Sequence, residues 1–96
     1  MLLGKVIGTV VATQKDERLE GVKFLIVKNI GLEGAIADGF AVAVDAVGAG
    51  MGEIVLYATG SAARQTAFTK DRPTDAIIMA IVDVWDLEGR IIYQKE

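Results

Sequence analysis

The chain contains no cysteine and no histidine. The first absence excludes a disulfide framework and thiolate chemistry, and leaves the redox compartment open. The second removes the commonest general base and the commonest nitrogen ligand for a metal. Aromatic residues make up only 6% of the sequence, and Trp85 and Tyr93 stand apart from any cluster of cations. That is a poor platform for stacking nucleic-acid bases. A basic excess is missing too, since the net charge is −3 and the isoelectric point is near 4.9. Nucleic-acid binders normally carry a basic face. No apolar run is long enough to span a bilayer. Met1-Leu2-Leu3 runs straight into Gly4-Lys5 without a charged stretch ahead of an apolar one, so a secretory signal is not expected. The sequence reads as a soluble, cytoplasmic protein.

What is present in quantity is apolar side chain and glycine. Hydrophobic residues are 52% of the 96, with a mean hydropathy of +0.42 and 11 glycines. One small domain spanning residues 1–96 is expected, and a chain of this size has a limited private core. The apolar surplus therefore points to an interaction surface and to an oligomer. The densest glycine segment is VDAVGAGMGEIVLYATGSAAR, from Val44 to Arg64. It sets Gly48, Gly50 and Gly52 between two apolar runs, with Asp45 and Glu53 as flanks, and follows with Gly60-Ser61-Ala62-Ala63 before Arg64. Glycine serves where backbone turns sharply or approaches another backbone closely. The segment is either a ligand loop or a tight subunit junction.

The remainder of the chain reads as strands. Gly4–Thr13 is rich in β-branched residues, with glycines that imply a bend or a close neighbour. The polar run Gln14–Arg18 forms a loop closed by Gly21. Val22–Ile30 is a second strand, apolar on both faces and so covered on both. Asn29–Gly39 is expected to be a connecting loop. Phe40–Val47 and Glu53–Thr59 both alternate with a period of two. Ser61–Thr66 is expected as a short helix with Ser61 as its N-cap; Arg64 stands where a capping box would have Glu or Gln. Thr66–Thr74, with Pro73, reads as an exposed loop. Ala76–Trp85 is expected to be one strong strand, and Leu87-Glu88-Gly89 a turn into Ile91–Tyr93, a C-terminal hairpin. The sum is an all-β chain of five or six short strands with one helical turn, which suits a small five-stranded barrel.

No constellation in this pattern carries catalysis. A phosphate loop needs free backbone N–H groups, usually a helix N-terminus, and often a lysine. Gly48–Gly52 leads into a strand, and the carboxylates of Asp45 and Glu53 would repel a phosphate. Asp45, Glu53, Asp75 and Asp83 could pair for acid–base work only if their environments pushed their pKa values apart. Asp45 and Asp83 are better read as accepting backbone hydrogen bonds or pairing with Arg64 or Lys5, as partly buried charges must. No calcium-loop spacing is present. Ser61 has no histidine to activate it. No cofactor and no metal are expected, and an enzyme is not. Two alternatives stay open from the residues: an assembly protein, and a barrel that binds nucleic acid or another small ligand.

Five blocks decide between them: GKVIGTVVAT near the start, LEG at 19–21, VDAVGAGMGE at 44–53, GSAAR at 60–64 and DAIIMAIVD at 75–83. In this order they resemble the vertex proteins of bacterial microcompartment shells, the family of the carboxysome and ethanolamine-utilisation pentamers. The resemblance runs from about Gly4 to Asp83. It implies an oligonucleotide-binding-type (OB-like) barrel used without nucleic acid, assembled as a homopentamer at the corners of a polyhedral shell in the cytoplasm. Its partners would be copies of itself and the hexameric and trimeric shell proteins, with no membrane involved. By the same likeness Asp45, Gly48, Ala49, Gly50, Met51, Gly52 and Glu53 would lie at a subunit interface or near the five-fold axis, where small residues fit. Ser61 and Arg64 would join them there, with Arg64 bonding across to a neighbour.

Overall fold

A computed structural model describes residues 1–70 and 74–96 of the chain. Its strands are β1 (Leu2–Val10), β2 (Phe24–Ile30), β3 (Ile36–Asp45), β4 (Ile54–Thr59), β5 (Ala76–Ile81), β6 (Val84–Leu87) and β7 (Arg90–Gln94), with a short helix α1 (Gly60–Ala63) after β4. β1 to β5 close a barrel in the order β1-β2-β3-β5-β4, and β6 with β7 forms a separate two-stranded sheet. All neighbours in the barrel run antiparallel except β3 and β5. That parallel seam is short: Val44 pairs with Ile77 and Asp45 with Ile78. Five strands in this circular order, closed by one parallel pair, are the topology of an OB-type barrel.

Alternation along each strand sorts the apolar residues into two layers. Val6, Leu25, Val27, Ala43, Val55, Tyr57, Ala76 and Ile78 point inward and fill the barrel, and Ala49 of the glycine turn joins them. Val44, Ala58 and Ile77 point outward from β3, β4 and β5, where Val22 and Ala63 cover them. Phe24, Phe68 and Met79 pack around this second layer. Fully burying one such Val or Ile contributes about 1.5–3 kcal/mol, so the covering segments are held by their apolar residues more than by helix propensity. β2 itself does not meet the expectation of two covered faces: Leu25 and Val27 are buried, while Phe24, Ile26 and Lys28 on its outer side are only half-buried.

Gly4 marks where the barrel interior is tightest. A Cβ there would lie 2.2 Å from Val27 Cγ1 and 3.1 Å from both Lys28 O and Tyr57 Cε1. Nearby, the Tyr57 hydroxyl donates to Asn29 Oδ1, and Asn29 Nδ2 donates to Asp38 O at 3.1 Å. Burial pushes the Tyr57 hydroxyl pKa upward. Asn29 sits at the irregularity between β2 and β3, where Gly39 adopts φ +91° and leaves room for the amide. This network stitches three strands at one level of the barrel.

Several boundaries differ from the sequence expectation. β1 starts at Leu2 and ends at Val10, short of Thr13. β3 begins at Ile36, so the expected Asn29–Gly39 loop contracts to Gly31–Ala35, because Ile30 and Ile36 already pair. The expected Ala76–Trp85 strand is broken at Val82 and Asp83. Val82 N still donates to Ile54 O of the barrel at 2.8 Å, while Asp83 O accepts from Lys95 N at 2.7 Å and starts the second sheet. Ser61 is not the N-cap of α1. That position is Thr59, without a side-chain cap bond, and Ser61 lies exposed inside the helix. The loop after α1 is only partly exposed, since Thr69 is buried and its hydroxyl donates to Ala63 O at 2.6 Å. Pro73, on which the loop reading also leaned, lies outside the described residues.

The hairpin has a turn with positive φ at both central residues, Glu88 (51°) and Gly89 (83°). This is the primed turn whose twist matches the flanking strands. Trp85 and Tyr93 stack across it with centroids 5.2 Å apart. Trp85 Nε1 donates to Leu32 O at 3.0 Å, and Arg90 pairs with Glu33 at 3.4 Å. Both contacts dock the hairpin on the β2–β3 connection. The two aromatics that could have met a base are thereby occupied by one another and by backbone.

Candidate functional site

The glycine turn links β3 to β4 and folds under two carboxylates. Asp45 Oδ1 accepts the N–H groups of Val47, Gly48 and Ala49 at 3.1, 3.1 and 3.2 Å. Glu53 Oε1 accepts from Gly50 N at 2.5 Å. Glu53 N donates to Gly50 O within the turn at 3.2 Å, and two ties run to β1: Gly52 N donates to Val6 O at 2.8 Å, and Val6 N donates to Glu53 O at 3.0 Å. Backbone donors that a phosphate would need are already used by side chains of the same turn. Of the roles weighed for Asp45, backbone acceptor is the one realised.

Glu53 has a second partner that spacing in the sequence does not announce. Lys95 Nζ reaches Glu53 Oε2 at 2.5 Å, joining the end of β7 to the turn. Lys95 beside it, and then the Gly50 amide, hold the Glu53 carboxyl below its ordinary pKa, and Glu53 in turn holds the Lys95 amine above its own. The contact depends on the hairpin, which the bonds from Val82 N to Ile54 O and from Lys95 N to Asp83 O bring back to the level of β4.

The three glycines do different jobs. Gly48 and Gly52 have φ of +77° and +83° with nothing within 4 Å of a hypothetical Cβ. Their identity follows from backbone conformation, not from crowding inside one chain. Gly50 has an ordinary φ, and a Cβ there would come 3.2 Å from Glu53 Oε1. Ala49 is anchored in the barrel core, and Met51 is 60% exposed.

Ser61 and Arg64 are not brought to this turn. They follow β4, whereas Glu53 immediately precedes it, and the six residues of β4 span roughly 20 Å. Both are exposed, and the Arg64 side chain forms no hydrogen bond or ion pair with a described residue. Arg64 lines a shallow groove with Gln65, Thr66, Ala67 and Lys70. The expected set thus divides into a braced turn at one end of β4 and a free cation at the other. Among the described residues no group of acidic side chains is placed to hold a metal ion, and no helix is long and apolar enough to cross a membrane.

The sequence profile described as ethanolamine utilisation protein EutN/carboxysome matches residues 1–83, which comprise the entire barrel. The chain belongs to the EutN/carboxysome family. Relatives of this EutN/carboxysome chain include the carboxysome shell vertex protein CcmL of Gloeobacter violaceus, 44% identical over 96 residues, covering all of this chain and 96% of the relative. The shell vertex protein GrpN of Rhodospirillum rubrum is 51% identical over 84 residues, covering 86% of this chain and 93% of the relative. The solved CcmL structure from Gloeobacter violaceus superposes with a TM-score of 0.95, covering 99% of this chain and 98% of that one. The solved GrpN structure, described as a pentameric microcompartment shell protein, superposes with a TM-score of 0.83 at 45% identity, covering 91% of this chain and 99% of that one. The match to CcmL thus extends past the profile's end at residue 83 and takes in the hairpin.

Proposed function

We propose that this chain is a structural protein that assembles as a homopentamer and caps the vertices of a bacterial microcompartment shell. The observation that carries this reading is the near full-length superposition on GrpN, a pentameric shell protein. The braced turn supports a structural rather than a catalytic role, because the N–H groups of Val47, Gly48, Ala49 and Gly50 are taken up by Asp45 and Glu53. A sheet of hexagonal tiles lies flat, and five-fold units supply the curvature that closes it. The partners are copies of this chain and hexameric and trimeric shell proteins, and the location is the shell within the cytoplasm. Residues 1–96 act as one domain.

Within the ring, Asp45, Gly48, Ala49, Gly50, Met51, Gly52 and Glu53 are assigned to the subunit junction or the rim of the five-fold axis. Ser61 and Arg64 belong to a second contact at the other end of β4. A ring needs two different contact surfaces on each protomer, so a divided set is compatible with one assembly. Native mass spectrometry tests the reading directly. One dominant five-subunit species is expected, and a stable monomer at micromolar concentration overturns it.

A further inference from the structure

Two outward faces of the chain carry exposed apolar side chains, and the charges beside them have opposite sign. On the barrel wall the pairs Ile26–Val42 and Lys28–Phe40 join β2 to β3, and Lys5 of β1 lies directly opposite Lys28. Phe40 is 66% exposed and Val42 43%. Like charges placed directly across from one another are destabilising. Neither Lys5 nor Lys28 forms an ion pair or a side-chain hydrogen bond with any described residue. The other face is the outer side of the β6–β7 hairpin. There Val84 is 53% exposed and Ile91 58%, and Asp86 sits directly opposite Ile91 with Glu88 at the tip. Among the described residues the Asp86 carboxylate receives the Gly89 N–H alone, at 3.0 Å.

We propose that these two faces mate between neighbouring copies, the acidic, apolar hairpin of one protomer docking on the basic, apolar wall of the next. The inference rests on the ring assembly proposed above and names its contact surfaces. Charge argues for a head-to-tail contact. A two-fold contact of the wall with itself would set Lys5 and Lys28 against a second such pair, and the hairpin with itself would oppose carboxylates. Repulsion of this kind selects against the same-face partner, and contacts between two different faces are the ones that close into rings. Placement argues for it as well. A two-stranded hairpin alone is only marginally stable, yet this one is pinned by Trp85 to Leu32 and by Lys95 to Glu53 of the glycine turn. Its outer face is therefore presented at a fixed angle to the barrel.

The cysteine-free sequence makes the test clean. A Val42→Cys/Ile91→Cys chain treated with a short bismaleimide is expected to give covalent species of up to five chains on a denaturing gel. Either single substitution alone should give none, because a head-to-tail contact keeps like positions apart. Lys28→Glu, with its folded monomer checked by circular dichroism, should raise the concentration needed for ring assembly by about tenfold or more. A wild-type pentamer whose doubly substituted chain stays uncross-linked, and whose Lys28→Glu form assembles like wild type, overturns the surface assignment and leaves the ring standing. Multimers from a single substitution overturn the head-to-tail arrangement. A wild-type chain that stays monomeric removes the ring reading and this proposal together.

Discussion

Lys95 and Glu53 are 42 residues apart in sequence and 2.5 Å apart in space, so the end of β7 braces the turn that begins β4. Both side chains are partly accessible, at 37% and 22%. The pair works as a latch between the barrel and the hairpin, and its charges give it a pH signature.

Removing the latch should matter only where both charges exist. Glu53 has a lowered pKa in the fold, so its contribution is present above the ordinary value of 4.5 and is lost as pH falls through the depressed one. Lys95 has a raised pKa, so its contribution is complete below 10.5 and is lost as pH rises through the elevated one. A Lys95→Met chain should melt at a lower temperature than wild type at neutral pH. The difference should shrink steadily in acid below the ordinary glutamate range. Thermal melts across pH check this, and a gap that persists undiminished at low pH would refute the latch.

Gly4→Ala should be among the most damaging single-methyl additions in the barrel. The new Cβ falls 2.2 Å from Val27 Cγ1, with Lys28 O and Tyr57 Cε1 also close at 3.1 Å. Overpacking of this sort costs about 1–3 kcal/mol and occasionally more. Val27→Ala in the same chain removes the clashing methyl groups, so the double variant should be more stable than the sum of the two singles. Denaturant midpoints of the four chains measure that coupling.

The turn should respond to Asp45 more than to its exposed glycine positions. Asp45→Ala removes the acceptor from three backbone donors at 3.1–3.2 Å; water can reach Val47 N and Gly48 N, but the part-buried Ala49 N–H loses its partner, at a cost of about 1–3 kcal/mol. Gly48→Ala meets no atom within 4 Å and incurs only the conformational penalty of its φ of +77°, about 1–2 kcal/mol. Gly48→Asn should be milder still, because asparagine tolerates that region. Gly50→Trp should block or distort the ring while the monomer stays folded. Equilibrium unfolding and native mass spectrometry, run on the same samples, separate these effects.

Tyr57→Phe should lower stability by about 1–2 kcal/mol, since it removes the hydrogen bond to Asn29 Oδ1 inside the barrel. Asn29→Ala should cost more, because it also abandons Asp38 O and leaves the Tyr57 hydroxyl buried without an acceptor. Chemical denaturation of both variants gives the order.

The period-two alternation in Phe40–Val47 and Glu53–Thr59 marks the body of β3 and β4, because half of each strand faces the barrel interior, but it misses the start of β3 at Ile36. The break at Val82–Asp83 was not legible. Apolar residues continue through Val82 and Val84, and the switch of sheets depends on Ile54 O and Lys95 N, partners far away in sequence. Thr69 was hidden for a similar reason. A polar run reads as exposed until the Ala63 carbonyl is placed above it. In the turn, the acids can be seen flanking the glycines, and backbone acceptor is one of the two structural roles that the sequence offers Asp45, the other being an ion pair with Arg64 or Lys5. That Glu53 shares its carboxylate between Gly50 and Lys95 depends on the hairpin returning the chain beside the turn, 42 residues further on. The separation of Ser61 and Arg64 from the turn likewise became visible only when β4 was seen to lie between them.

The parallel seam has a consequence for how the chain comes to be folded. Only Val44–Ile77 and Asp45–Ile78 join β3 to β5, and the strand that completes them is the last of the five to leave the ribosome. Until then β1 to β4 can exist only as an open sheet, with two unpaired borders and the inward-facing side of Leu25, Val27 and Val55 uncovered. Exposed borders of this kind invite pairing with other chains. Closing the barrel within residues 2–81 keeps that vulnerable interval short.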